Sequence, residues 1–294
     1  MRTAELVMEG SPSRLIERAS TPAGIKTILF HVHNDDRLDD RLQVALSMAR
    51  AFGAHLHLLH VAPIEAYMIT DAFAVFVSPQ ILEVLEDESA KLREKLKQQL
   101  ANEDVSWDYE GVTGEMMPRL IQRAALADLV IAGRQPEQRE FGGPSIAFLG
   151  DLLQSIRTPL LVIGDQAAQM DPFGPAIVAW NGSYEAANAL RAAVPLLKTA
   201  TRVRLVSVDE SKEEQFPSTA ALEYLSRHGV HAELHRRARF ADSVELAILD
   251  EAAKDGASYI VMGGYSHSRA GEFLFGGVTR SLLKNCPVPL LVTH

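Results

Sequence analysis

Two stretches of this chain repeat one another without a gap. Leu129-Val130-Ile131-Ala132-Gly133 corresponds to Tyr259-Ile260-Val261-Met262-Gly263, and Thr158-Pro159-Leu160-Leu161-Val162 to Val288-Pro289-Leu290-Leu291-Val292. Both correspondences hold at one shift of 130 residues, as in Gly133 to Gly263 and Pro159 to Pro289. A constant register over two separated strand-like runs reads as an internal duplication, and a chance likeness of apolar strands is the alternative.

The earlier parts of each half follow the same plan. Ile25 to Val32 reads as a strand, Asp39 to Phe52 as an amphipathic helix stopped by Gly53, and His55 to Val61 as a second strand. In the second half Pro175 to Trp180 is the strand, and Ser183 or Asn181 caps a helix from Tyr184 to Leu197. Val203 to Val208 is the next strand. Strands alternating with helices predict an α/β fold of two tandem, doubly wound, parallel-sheet domains of Rossmann-like type. The expected boundaries are a leader at 1–24, a first domain at 25–164, a linker at 165–174 (DQAAQMDPFG) and a second domain at 175–294. The stretch to the third matched strand is longer in the first half: His33 to Gly133 spans 100 positions, against 82 from Asn181 to Gly263. The surplus falls in Ile64 to Ser78, ahead of a charged helix from Gln80 to Leu100. It is expected to form a helical hairpin arm, with a lid or a partner surface as alternatives.

Length and composition agree with this plan. The 294 residues suit two domains of ordinary size, with 47% hydrophobic and 23% charged residues. No apolar run approaches the ~20 residues of a transmembrane helix, so no membrane is expected as a partner. A single cysteine, Cys286, makes no internal disulfide and suits a reducing cytoplasm. Its place at a helix end suggests a small buried apolar residue. The net charge of −9 argues against nucleic acid or an anionic surface as partner. An anionic ligand must then be held locally, by main-chain N–H groups and helix starts.

Such a place is offered after Met262. The strand ends in Gly263-Gly264-Tyr265-Ser266, nine residues follow, and Gly276-Gly277 opens a helix expected over Val278 to Leu283. Glycine lets main chain approach a ligand without a Cβ in the way. The first N–H groups of the helix have no partner within it, and its dipole favours an anion. In an open parallel sheet, ligands gather beyond the carboxyl ends of the strands, where the winding reverses.

This loop resembles that of the universal stress protein family, in which a strand ends in G-x-x-G, nine residues intervene, and G-S or G-T opens a helix before a final strand. Gly263 to Ser266, Gly276-Gly277 and Pro289-Leu290-Leu291-Val292 carry the likeness, with Asn181-Gly182-Ser183 in place of the family's D-G-S. The resemblance covers the whole second half; the first shares the strand pattern and the 130-residue register. It implies the universal stress protein fold, with the two copies pairing through their last strands, and a homodimer is conceivable. It also implies an adenine-nucleotide site, for ATP, ADP or AMP with Mg, made of Asn181, Gly182, Val208, Met262, Gly263, Ser266, Gly276, Gly277, Val278 and Thr279. Departures from the pattern are Ser266 for the second Gly, Gly277 for a hydroxyl residue and Asn181 for Asp. Each removes or alters one contact, and a neutral hydrogen bond nets ~1 kcal/mol.

In the first half the same shift puts Ile146 and Ala147 where Gly276 and Gly277 stand, and Arg134-Gln135-Pro136 follow Gly133. A branched side chain there obstructs a phosphate, so this copy is not expected to bind nucleotide in the family manner. Gly142 and Gly143 fall outside the spacing. His31, His33, His55, His57 and His60 are read as polar residues at strand ends, with a metal site as the lesser reading. His267, Ser268, Arg269 and Glu272 are expected to be exposed loop residues. Arg236, Arg237 and Arg239 are expected to form a solvated edge. Without a G-x-x-x-x-G-K-[ST] loop or an evident base, at most slow ATP hydrolysis is expected. The expected function is a cytoplasmic stress-response sensor binding an adenine nucleotide in its second half. The alternative is a nucleotide-independent interaction module; an enzyme comes third.

Overall fold

The computed structural model describes residues 24–63, 69–70, 75–76, 78–134, 145–165, 169–208, 215–238, 243–264 and 277–294. The first half contributes β1 (Thr27–Val32), α1 (Leu38–Phe52), β2 (His55–Pro63), β3 (Ile69–Thr70), β4 (Val75–Phe76), α2 (Pro79–Leu100) and β5 (Trp107–Gly114). It continues with α3 (Met116–Ala124), β6 (Leu129–Gly133), α4 (Ile146–Ser155) and β7 (Leu160–Ile163). The second contributes β8 (Ala176–Trp180), α5 (Tyr184–Leu197), β9 (Val203–Val208), α6 (Ser218–Arg227) and β10 (Ala232–Arg237). It ends with α7 (Val244–Asp255), β11 (Tyr259–Gly263), α8 (Gly277–Asn285) and β12 (Leu290–Thr293).

Ten strands form one sheet in the order β10-β9-β8-β11-β12-β7-β6-β1-β2-β5. Every pairing is parallel except the central one, where β12 and β7 run antiparallel. There Leu291 faces Leu161, its counterpart at the 130-residue shift, flanked by Leu290 on Val162 and Val292 on Leu160. A pseudo-two-fold axis therefore passes between these two leucines, and the two copies close each other's sheet edge.

Local chemistry accounts for the helices. In α1, Leu38, Leu42, Ala45, Ala49 and Phe52 recur at helical spacing and are buried. Gly53 ends it in the left-handed region, φ 56°, as Gly256 ends α7 at φ 59°. Ser145, Ser183 and Ser243 cap α4, α5 and α7 by accepting from Phe148, Ala186 and Leu246 main-chain N–H groups at 3.1 Å. Of the two residues expected to cap α5, Ser183 does so.

Helices α1, α2, α5 and α6 supply one apolar layer with the sheet, and α3, α4, α7 and α8 the other. Strands β6 and β7 are buried along their whole length, as expected for strands covered on both faces. The expected helical arm at 64–78 is corrected where the structure describes it. Ile69–Thr70 and Val75–Phe76 pair antiparallel as a short β-hairpin.

Candidate functional site

In the second half the winding reverses between β8 and β11. The chain leaves β8 for β9 on one side and returns to β11 on the other, so the carboxyl ends of β8, β9 and β11 form the crevice where ligands of open α/β sheets bind. Asn181, Val208, Met262 and Gly263 all lie at these ends, and α8 begins after them at Gly277, one residue earlier than expected.

The turn after β8 is tightly specified. Gly182 takes φ 71°, its carbonyl accepts the Phe216 N–H at 2.9 Å, and the Asn181 carboxamide oxygen accepts the Ser183 N–H at 3.2 Å. This local bond does for Asn181 what it would do for aspartate. Val208 and Met262, 8% and 5% exposed, belong to an apolar cluster with Ile248 and Ala252 of α7. They provide an apolar floor rather than polar contacts.

The glycines play different parts from one another. At Gly263 a Cβ would lie 2.4 Å from Ala186 N and from Glu185 C. The missing side chain lets β11 end hard against the first turn of α5. At Gly277, by contrast, a Cβ would meet nothing within 4 Å among the described residues. The N–H groups of Gly277, Val278 and Thr279 fall among the first four of the helix, which have no intrahelical acceptor. Thr279 is buried, so what it offers there is its main-chain N–H rather than an exposed hydroxyl. Ser266 and Gly276 lie outside the described residues, as do Gly142, Gly143, Arg239, Tyr265, His267, Ser268, Arg269 and Glu272.

The corresponding crevice of the first half is filled by its own side chain. Arg41, 3% exposed, lies so close to Gly133 that a Cβ there would be 2.4 Å from Arg41 Cδ. Its Nη2 donates to the His33 carbonyl at 3.0 Å and to Asp35 Oδ1 at 2.7 Å. Ile146, 5% exposed, starts α4. Sequence reading missed Arg41. The available signal was an arginine on the buried stripe of α1, between Leu38 and Ala45.

The histidines divide. His31, the last residue but one of β1, is 1% exposed. Burial, then the neighbouring His33, Arg41 and His60, lower its pKa to about 3, against a raising influence of Asp35. Burial lowers that of His60 to about 4. His57 contacts Asp108 and lies 3.3 Å from Glu110. No group of three or more His, Cys, Asp or Glu is set to hold a metal among the described residues. Cys286 is buried and its thiol pushed up to about 11, so it is not poised as a nucleophile.

The family model described as "Universal stress protein family" matches residues 24–163 and 172–294. The chain belongs to the universal stress protein family. Among solved structures, a universal stress protein from Archaeoglobus fulgidus DSM 4304 is 15% identical. It covers 91% of this chain and 97% of its own, with a TM-score of 0.69. A protein of unknown function from Pseudomonas aeruginosa PAO1 is 19% identical and covers 92% of both chains, TM-score 0.60. A putative universal stress protein from Pseudomonas aeruginosa UCBPP-PA14 is 18% identical and covers 92% and 93%, TM-score 0.57. At these identities the likeness is one of fold, and it extends over both copies. No curated protein matches. Among the described residues no helix is long and apolar enough to cross a membrane.

Two further features of this family member lie away from the crevice. A groove of about 1010 Å³ follows the free edge of β5, lined by Arg93, Lys97, Tyr109, Glu110 and Arg123 among others. It sits at the first-half end of the sheet, remote from α8. At the other end, Arg237 is bound to Asp250 at 2.6 Å and to Glu251 at 3.0 Å, and Arg236 donates to Ser218. Both arginines stand on the sheet's edge strand β10, Arg236 exposed and Arg237 partly buried.

Proposed function

We propose that the second copy binds an adenine nucleotide, ATP, ADP or AMP with Mg where phosphates require it, and that this binding makes the protein a stress-response sensor. The observation that carries the reading is the start of α8, where a Cβ on Gly277 meets nothing among the described residues and Thr279 lies by Gly264 just past β11. A −9 chain can hold an anion only through such local donors. The residues present fit the ligand. The N–H groups of Gly277, Val278 and Thr279 suit phosphate, Asn181 at the end of β8 is exposed and its carboxamide suits a ribose, and Val208 and Met262 form an apolar floor. Arg41 fills the equivalent place in the first copy, so the stoichiometry is one nucleotide per chain.

The rival reading, a nucleotide-independent interaction module, draws support from Gly263, whose lack of a side chain serves packing against α5. Titration calorimetry with ATP separates the two: heat at one site per chain is expected, and none up to millimolar ATP removes the sensor reading. Gly277→Val gives a second check. A Cβ at Gly277 meets nothing among the described residues, so the fold is expected to tolerate valine while the affinity drops at least ~10-fold, about 1.4 kcal/mol.

A further inference from the structure

Arg134 stands where the 130-residue shift puts Gly264 in the second copy, and the two behave differently at the pseudo-two-fold. A Cβ on Gly264 would be 2.7 Å from Leu153 Cδ2 of α4. Arg134 reaches across to the counterpart of Leu153, which is Leu283 of α8: its Nη1 donates to the Leu283 carbonyl at 2.6 Å. Its Nη2 lies 3.3 Å from Asp165 Oδ2. The Asp165 carbonyl in turn accepts Arg37 Nη2 at 2.6 Å, and the Arg37 N–H donates to Asp35 Oδ1 at 2.9 Å. That carboxylate is the one that holds Arg41. Polar contacts thus run unbroken from the filled crevice of the first copy to the last turn of α8.

The chemistry at that end of α8 is specific. The Leu283 carbonyl is one of the final four of the helix and has no intrahelical donor. A buried guanidinium both satisfies it and complements the negative end of the helix dipole. Helix α8 has nine residues, so fixing its last turn fixes the direction in which its first N–H groups point.

We infer that Arg134 is a positioning residue for the second copy's anion site: the copy that has filled its own crevice aims the helix of the other. The inference rests on the nucleotide reading above for its ligand, but its mechanical part stands separately. The test compares Arg134→Met with Thr158→Val, which removes a similar bond, 2.6 Å from Thr158 to the Ala124 carbonyl ending α3. ATP affinity by calorimetry and amide hydrogen exchange across residues 280–285 are measured on the full chain. Arg134→Met is expected to weaken ATP about fivefold or more and to speed exchange in α8 about tenfold, while Thr158→Val leaves both at wild-type values. Wild-type affinity and exchange in Arg134→Met, or equal effects of the two variants, would overturn the inference. If the wild type itself takes no ATP, the nucleotide reading falls and exchange alone judges Arg134. Should Arg134→Met not fold, Asp165→Asn is expected to give a smaller loss of the same kind, and unchanged affinity and exchange would overturn it.

Discussion

The imidazole of His31 stacks on the ring of Phe148, centroids 6.5 Å apart and planes 26° from parallel, and neither ring nitrogen has a hydrogen-bond partner among the described residues. The native state therefore holds this histidine neutral, with His33, Arg41 and His60 adding positive potential and Asp35 opposing it. An unfolded histidine takes a proton near pH 6.5, whereas His31 and His60 do so at about 3 and about 4. The depressed native values make the stabilisation complete above pH 6.5, and it declines as the pH falls from there toward 4 and then 3. The slope is about 1.4 kcal/mol per pH unit for each histidine. Urea midpoints at pH 7 and pH 5 should differ accordingly, and His31→Leu should roughly halve the slope. An unchanged slope in that variant would place the sensitivity elsewhere.

Gly133 and Gly263 are counterparts under the duplication, yet alanine should cost them unequally. The added methyl would meet a side chain, Arg41, at the first, and main chain, Glu185 and Ala186, at the second. Gly133→Ala is expected to lose about 1–3 kcal/mol, and Gly263→Ala more, because helix backbone cannot step aside. Chemical denaturation of the two variants compares them directly; a reversed order contradicts the packing described. Combining Gly133→Ala with Arg41→Ala should cost less than the separate losses added together.

The two copies carry exchanged charges between helix and sheet. In the first, Glu110 of β5 meets Arg123 of α3 at 2.6 Å. In the second, the cations Arg204 and Arg237 stand on the strands, and Asp250, Glu251 and Asp255 on α7. Glu251 is 3% exposed, and His235 Nδ1 approaches it to 2.8 Å. Glu251→Ala should cost about 1–3 kcal/mol because it removes a buried charged acceptor from the partly buried Arg204 and Arg237, which keep Asp255 and Asp250, whereas Glu223→Ala, in an exposed pair with Arg227, should cost under ~1 kcal/mol. Thermal denaturation of both distinguishes them; equal losses would mean the buried network is immaterial.

The antiparallel seam between Leu161 and Leu291 predicts how the halves behave when parted. Segments 24–163 and 172–294 expressed together should copurify one to one, since each covers the other's apolar last strand. Expressed alone, the second should self-associate through β12. A monodisperse monomer on size-exclusion chromatography would refute that.

Much of this was written in the chain. Apolar runs of four residues, Leu129 to Ala132 and Leu160 to Ile163, announced parallel strands covered on both faces. The 130-residue register announced two copies whose last strands would meet. Serine caps and terminal glycines bounded helices within a residue or so, because these signals act between neighbours in sequence. Tertiary structure alone decided what fills each crevice. Arg41 reaching Gly133, Glu185 and Ala186 crowding Gly263, and Arg134 reaching Leu283 each join residues from 77 to 149 positions apart. An arginine on a helix reads the same from sequence whether it faces water or plugs a site, and a glycine reads the same whether it admits a ligand or a neighbouring helix. The difference lies in distances of a few ångströms that exist only once the sheet and its two helical layers have closed.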